Sequence, residues 1–210
     1  MKIYLFRHGE TEWNREWRLQ GQSDVPLNAF GRELAVKTAK ALREVPFDRA
    51  FCSPLHRAAE TAKILLGDRN IPLATDDRLK EMCFGEYEGE CFDKAKKQDT
   101  MHPLYHFFYG TEDYVPPAGA ESFQDIIARG KDFLQEQIVP LEDSCRNVLI
   151  VAHGALNRGI LTAIGGIRLE DFWQISLPNC AASILVLEKG KFRILEDSRV
   201  YYDNPVNGRP

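Results

Sequence analysis

The run Asn147-Val148-Leu149-Ile150-Val151-Ala152 constrains this chain most. Five apolar residues in a row, with no polar alternation, read as a strand buried on both faces, and such strands belong to parallel sheets covered by helices. The run delivers His153-Gly154, after which Leu156, Ile160, Leu161 and Ile164 mark a helix. At the start of the chain Ile3-Tyr4-Leu5-Phe6 reads as a second short buried strand and delivers Arg7-His8-Gly9-Glu10-Thr11, with Asn14 beyond. Two strands therefore each end in His-Gly. Ligands of parallel α/β sheets bind outside the carboxyl ends of the strands, so both histidines are expected at one crevice. A neutral imidazole can act as a nucleophile near neutral pH, and the planar donor fork of Arg7 matches phosphate oxygens in pairs. Taken alone, an Arg-His pair is equally what a surface arginine and a hydrogen-bonded structural histidine would look like.

Two further segments add charge. Arg49-Ala50-Phe51-Cys52 reads as a strand, with Ser53-Pro54 following as the N-cap and first-turn proline of a helix. Leu55, Ala58, Ala59, Ala62, Leu65 and Leu66 share its core face, with Arg57, Glu60 and Lys63 toward another side. Arg57 falls in the first turn, where free N–H groups and the helix dipole favour an anion. The segment from Leu79 to Gly89 sets Glu81 among apolar residues and glycines, a setting that suits a general acid. Glu86, Glu88 and Glu90 read as solvated, although the residues alone do not choose between these carboxylates.

Taken together, Arg7-His8-Gly9-Glu10-Thr11 with Asn14, Arg18-Leu19-Gln20-Gly21, Pro26-Leu27 and Gly31 resemble the histidine phosphatase superfamily, the phosphoglycerate mutase-like proteins. Ser53-Pro54-Leu55-His56-Arg57-Ala58 with Thr61-Ala62, Glu81 with Gly85 and Gly89, Gly119-Ala120-Glu121-Ser122 and Ala152-His153-Gly154 follow in the same order. The resemblance implies that His8 is the nucleophile that becomes phosphohistidine and that Glu81 is the proton donor. It implies that Arg7, Arg57 and His153 hold the phosphoryl oxygens, with Asn14, Gln20 and the backbone of Gly21 and Gly154 lining the pocket. No cofactor and no metal enter that chemistry. Cofactor-dependent mutases of the superfamily carry an Arg-His-Tyr-Gly-containing segment just after the counterpart of Glu81, with further basic residues for a second acidic group. Here Met82-Cys83-Phe84-Gly85-Glu86-Tyr87 is acidic and apolar, which leaves a second substrate charge without evident compensation. The expectation is a phosphatase acting on a small-molecule phosphate ester. A phosphoglycerate mutase and a catalytically silent phosphate-binding protein are the alternatives.

The expected fold is α/β, a three-layer sandwich whose central sheet is mixed but mostly parallel, with helices on both faces. Residues 1–210 are expected to form a single domain, with a small capping insertion over 90–120. A helix is expected from Asn28 to Glu44, with Leu34, Thr38, Ala41, Leu42 and Val45 inward. A second should start at a capping box on Ser122 and Asp125 and run through Phe123, Ile126, Ile127, Phe133, Leu134 and Ile138 before Pro140. Ala182–Glu188 and Phe192–Glu196 flank Lys189-Gly190-Lys191 as a hairpin, and the end from Tyr201 is expected to fray.

Between Phe92 and Ala118 His102, Tyr105, His106, Phe107, Phe108, Tyr109 and Tyr114 crowd together, suited either to capping the crevice or to anchoring the insertion on the core. The spacing of His102 and His106 hints at a metal but lacks further ligands. A net charge of −4 argues against a nucleic-acid partner, and Lys94, Lys96 and Lys97 read as solvated. No segment approaches a membrane span, and the apolar start is too short for a signal peptide. Five cysteines at irregular spacing argue against a disulfide framework, which together point to the cytoplasm.

Overall fold

The computed structural model describes residues 1–91, 99–102 and 104–202. Six strands form one sheet: β1 (Lys2–Arg7), β2 (Arg49–Cys52), β3 (Leu73–Thr75), β4 (Asn147–Ala152), β5 (Ala182–Glu188) and β6 (Lys191–Arg199), in the order β3-β2-β4-β1-β5-β6. The pairs β3–β2, β2–β4 and β4–β1 are parallel, and β1–β5 and β5–β6 are antiparallel. The expected mixed sheet and hairpin are both present. Strand β3 has only three residues and no apolar alternation, which is why the sequence does not announce it.

Side chains alternate across β1 and so feed two cores. Ile3 and Leu5 join Val148, Ile150 and Leu185 beneath α5 (Phe123–Phe133) and α6 (Gly154–Gly165). Phe6 joins Leu149, Val151 and Ile184 beneath α3 (His56–Leu66), with Leu42 closing the end of α2 (Ala29–Ala41). The register places Arg7 opposite Ala152, so the residues that follow, His8 and His153, emerge side by side at the same sheet edge.

Helix boundaries follow their caps, and a Thr11–Asn14 capping box starts the short α1 (Glu12–Arg15). The Asn28 side chain accepts from Gly31 N–H to start α2, which stops at Ala41, short of Glu44, and leaves Ala41 exposed. The Ser122–Asp125 capping box starts α5 as expected, and its apolar stripe continues through a π-helical turn at Leu134–Ile138. Helix α3 does not start at Ser53-Pro54. Leu55 holds the cap position without a side-chain bond, and the carboxylate of Asp24, from a separate segment, accepts from His56 N–H at 2.8 Å. The Ser53 hydroxyl instead accepts from Leu55 N–H.

The aromatic segment enters the structure as the short helix α4 (Tyr105–Tyr109). Phe107 is buried and stacks on Phe123, with Trp173 and Tyr114 edge-on to it. Lys94, Lys96 and Lys97 lie outside the described residues, as does the end of the chain after Tyr202.

Candidate active site

Beyond the carboxyl ends of β1 and β4 lies a cavity whose wall includes Arg7, His8, Asn14, Gln20, Gly21, Arg57, Glu81 and Gly154. His8 is buried, and its Nδ1 donates to the carbonyl of Gly9 at 2.6 Å. That bond fixes the tautomer and leaves the Nε2 lone pair for chemistry. Burial, with the charges of Arg57 and Arg7 behind it, holds the ring well below the usual histidine range, so it is neutral near pH 7. His153 is fully buried next to it, with ring centroids 5.1 Å apart, and is shifted down by burial and by the same arginines. Neither of its ring nitrogens has a hydrogen-bond partner among the described residues.

Arg7 reaches the site from the last position of β1, donating from one Nη to Leu177 O at 2.7 Å. Arg57 does not lie with Glu60 and Lys63 on an outer face, as its helical position suggested: it is fully buried. Its two Nη groups donate to Ser23 O and Gly21 O, each at 2.7 Å, and burial lowers its pKa to about 10. One turn further along α3, the Thr61 hydroxyl accepts from Gly9 N–H at 3.0 Å, so the face of α3 that carries Arg57 also anchors the loop behind His8.

Among the described cavity-lining residues Glu81 is the one carboxylate. It is half-buried rather than buried. Its Oε1 accepts from Met82 N–H at 2.9 Å and Leu156 N–H at 3.1 Å, and Oε2 from Ala155 N–H at 3.2 Å, which sets the carboxyl at the N-terminus of α6. A carboxyl group has about four lone-pair positions, so these bonds orient it and leave one that can carry a proton toward a substrate oxygen. The neighbouring acids differ from their expected solvated roles. Glu86 is exposed, but Glu88 accepts from Gln22 N–H and from both N–H and hydroxyl of Ser23, and Glu90 pairs with His102 at 3.0 Å. Among the described residues no group of three or more His, Cys, Asp or Glu side chains could hold a metal ion.

Arg158 is a charged wall residue that the sequence reading missed, as it did Trp13, Trp17 and Trp173. It is buried in α6, donates from Nε to Ile175 O at 2.9 Å and lies over the Trp173 ring at 4.8 Å. The signal was a lone cation on an otherwise apolar helix, between Leu156 and Ile160. Its presence corrects the expectation that a second substrate charge has no compensation here, whereas Arg18, also on the wall, is already paired with Glu16 at 2.6 Å. The apolar part of the wall includes Phe84, Phe107, Phe108 and Trp173, with Trp13 and Trp17.

A nucleophile-competent imidazole ringed by buried guanidiniums at the strand ends of an α/β sheet defines a phosphoryl-transfer class of site. The histidine phosphatase superfamily (branch 1) matches residues 3–198, and the chain belongs to that family. It is 31% identical to the 2,3-bisphosphoglycerate-dependent phosphoglycerate mutase 2 of Gloeobacter violaceus, covering 85% of this chain and 82% of that one. It is 28% identical to the adenosylcobalamin/alpha-ribazole phosphatase of Escherichia coli, covering 97% of this chain and 100% of that one. The solved structure of Bacillus stearothermophilus YhfR superposes with a TM-score of 0.85 at 33% identity, covering 93% of this chain and 96% of that one.

Proposed function

We propose that the chain is a phosphomonoesterase that works through a phosphohistidine on His8 without a metal. The observation that carries this is a buried, neutral His8, its Nδ1 tied to Gly9, on the wall of a cavity that also presents Arg7, Arg57 and one carboxyl group. His8 Nε2 attacks phosphorus in line while Arg7, Arg57, His153 and the N-terminus of α6 at Gly154 hold the equatorial oxygens. Fixed charge and alignment are the main contributions to phosphoryl transfer. For His153 this would also supply a partner to a ring that has none among the described residues. Glu81 gives its proton to the departing alkoxide, then as carboxylate takes one from the water that cleaves the phosphohistidine, which releases inorganic phosphate and restores both groups. Asn14, Gln20 and the backbone of Gly21 line the pocket around the phosphoryl group.

Hydrolysis is favoured over mutation because Met82–Tyr87 gives the described wall only the Phe84 ring, and because the alignment spans the whole of the E. coli phosphatase. The described part of the 90–120 insertion acts as a cap through α4, a reading supported by Phe107 and Phe108 on the cavity wall. The enzyme acts in the cytoplasm, in keeping with five free cysteines. The test is a panel of phosphate esters assayed with chelator present, with phosphoglycerate interconversion measured separately. Metal-independent phosphate release is the expected result. Rapid interconversion with negligible phosphate release would establish the mutase reading.

A further inference from the structure

We infer that Arg158 is a specificity-determining residue that binds a carboxylate on the alcohol portion of the phosphate ester. The inference rests on the phosphatase reading for the placement of the phosphoryl group beside His8. Arg158 is 3% exposed yet lines the cavity. Its guanidinium is held in place before any ligand arrives: Nε donates to Ile175 O, Nη1 donates to Gly154 O at 3.2 Å, and Trp173 covers one face. Trp173 is itself tied down by its indole N–H, which donates to Phe107 O. These contacts leave Nη2 with no hydrogen bond to any described residue, and a planar fork held this way suits an anion with two oxygens.

No described carboxylate pairs with Arg158. Two partly buried arginines elsewhere pair with acids, Arg129 with Glu121 at 2.7 Å and Arg78 with Asp76 at 2.7 Å, while Arg69 is held by main-chain carbonyls. A buried cation without an ion-pair partner is costly, and burial first, then the nearby Arg7, lowers the Arg158 pKa to about 9 against the opposing pull of Glu81. The charge count points the same way. Arg7, Arg57 and Arg158 are buried around one cavity, and Glu81 is the one acid on its described wall, so the wall carries more cations than acids. A substrate that carries an anion beside its phosphoryl group fits that excess.

The position of Arg158 limits how far that charge lies from phosphorus. A β carbon built on Gly154 would lie 3.3 Å from Arg158 Nη1 and 3.6 Å from Arg7 Nε, so the two guanidiniums flank the same glycine. A carboxylate one or two carbons from the ester carbon spans that gap. Aromatic contact with Trp173 and Phe108 is left for the remaining substrate surface.

The test compares 3-phosphoglycerate with glycerol 3-phosphate, which differ in a carboxylate against a hydroxymethyl group. The wild-type protein should prefer 3-phosphoglycerate in kcat/KM, and Arg158→Gln should reduce that preference by about 10- to 100-fold, the scale of one charge-assisted contact. Arg158→Lys, which keeps the charge and loses the fork, should retain part of it. Equilibrium binding of the same two esters to a His8→Ala protein, with and without Arg158→Gln, reads the preference with no turnover. Equal losses for both esters, with the ratio unchanged, would mean a structural role and would overturn the inference, as would a wild-type protein indifferent to the carboxylate. If the His8→Ala protein prefers the carboxylate through Arg158 but the wild type releases no phosphate, the inference stands and the phosphatase reading falls.

Discussion

Glu88 holds Ser23 through two bonds to the same carboxylate oxygen, from the main-chain N–H at 2.8 Å and from the hydroxyl at 2.7 Å. The other oxygen accepts from Gln22 N–H at 2.9 Å, and a β carbon on Gly21, whose φ is +51°, would lie 2.1 Å from it. This short loop presents the Gly21 and Ser23 carbonyls that fix Arg57. An acid that never reaches the cavity wall thus positions one of its cations. Glu88→Ala is expected to destabilise the protein by roughly 2–4 kcal/mol, the scale of losing bonds to a buried-side carboxylate, and to raise KM by releasing Arg57. Urea unfolding together with steady-state kinetics checks this. Unchanged KM in a folded variant would separate the loop from the site.

Gly31 makes the second close approach. A β carbon there would lie 2.1 Å from the Glu10 carbonyl oxygen and 2.5 Å from its nitrogen, both main-chain atoms that cannot swing aside. Gly31→Ala should cost about 2–3 kcal/mol and shift the loop that carries His8, lowering activity as well as stability. A thermal melt and an ester assay on the variant test both halves. An unperturbed variant would mean that α2 can move away from Glu10 freely.

The two buried histidines predict how stability varies with pH. Both are held well below the usual histidine value by burial first, whereas in the unfolded chain they titrate near 6.5. Below that pH the unfolded state takes up protons that the folded state does not, so stability is full above about 6.5 and falls as pH falls toward the folded-state values. The slope should average about 1 kcal/mol per pH unit for each histidine between pH 6.5 and 5.5, approaching roughly 1.4 below that. Urea unfolding between pH 6.5 and 5.5 should show a slope roughly halved in His153→Asn. Equal slopes would mean that His153 is protonated in the folded state.

The strand ends were legible because an uninterrupted apolar run stops abruptly at a polar pair, and that alone brought Arg7, His8 and His153 together. The α5 start was legible because Ser122 and Asp125 are close in sequence. The α3 start was not, because its cap comes from Asp24, far off in the chain, and the burial of Arg57 depends on carbonyls of that same segment. Glu88 and Arg158 escaped for a similar reason: each is defined by partners from other elements, and a charged residue by itself reads as solvated.

Glu81 was singled out by resemblance, and the structure adds that it is the carboxylate on the wall. If it donates a proton, its removal should matter most when the leaving group is a poor one. Glu81→Ala should slow phosphoenzyme formation from alkyl phosphates by about 10²–10⁴-fold and from nitrophenyl phosphate far less, in single-turnover experiments. Equal losses for the two esters would remove proton donation from its role.

The central claim is that His8 Nε2 carries the phosphoryl group. Rapid acid-free quenching during turnover, followed by peptide mapping and analysis of the phosphorylated nitrogen, tests it directly. The account predicts an acid-labile phosphate on Nε2 of His8, absent from His8→Ala. Turnover with no phosphate on His8, or with the phosphate on Nδ1 that the Gly9 carbonyl occupies, would contradict it.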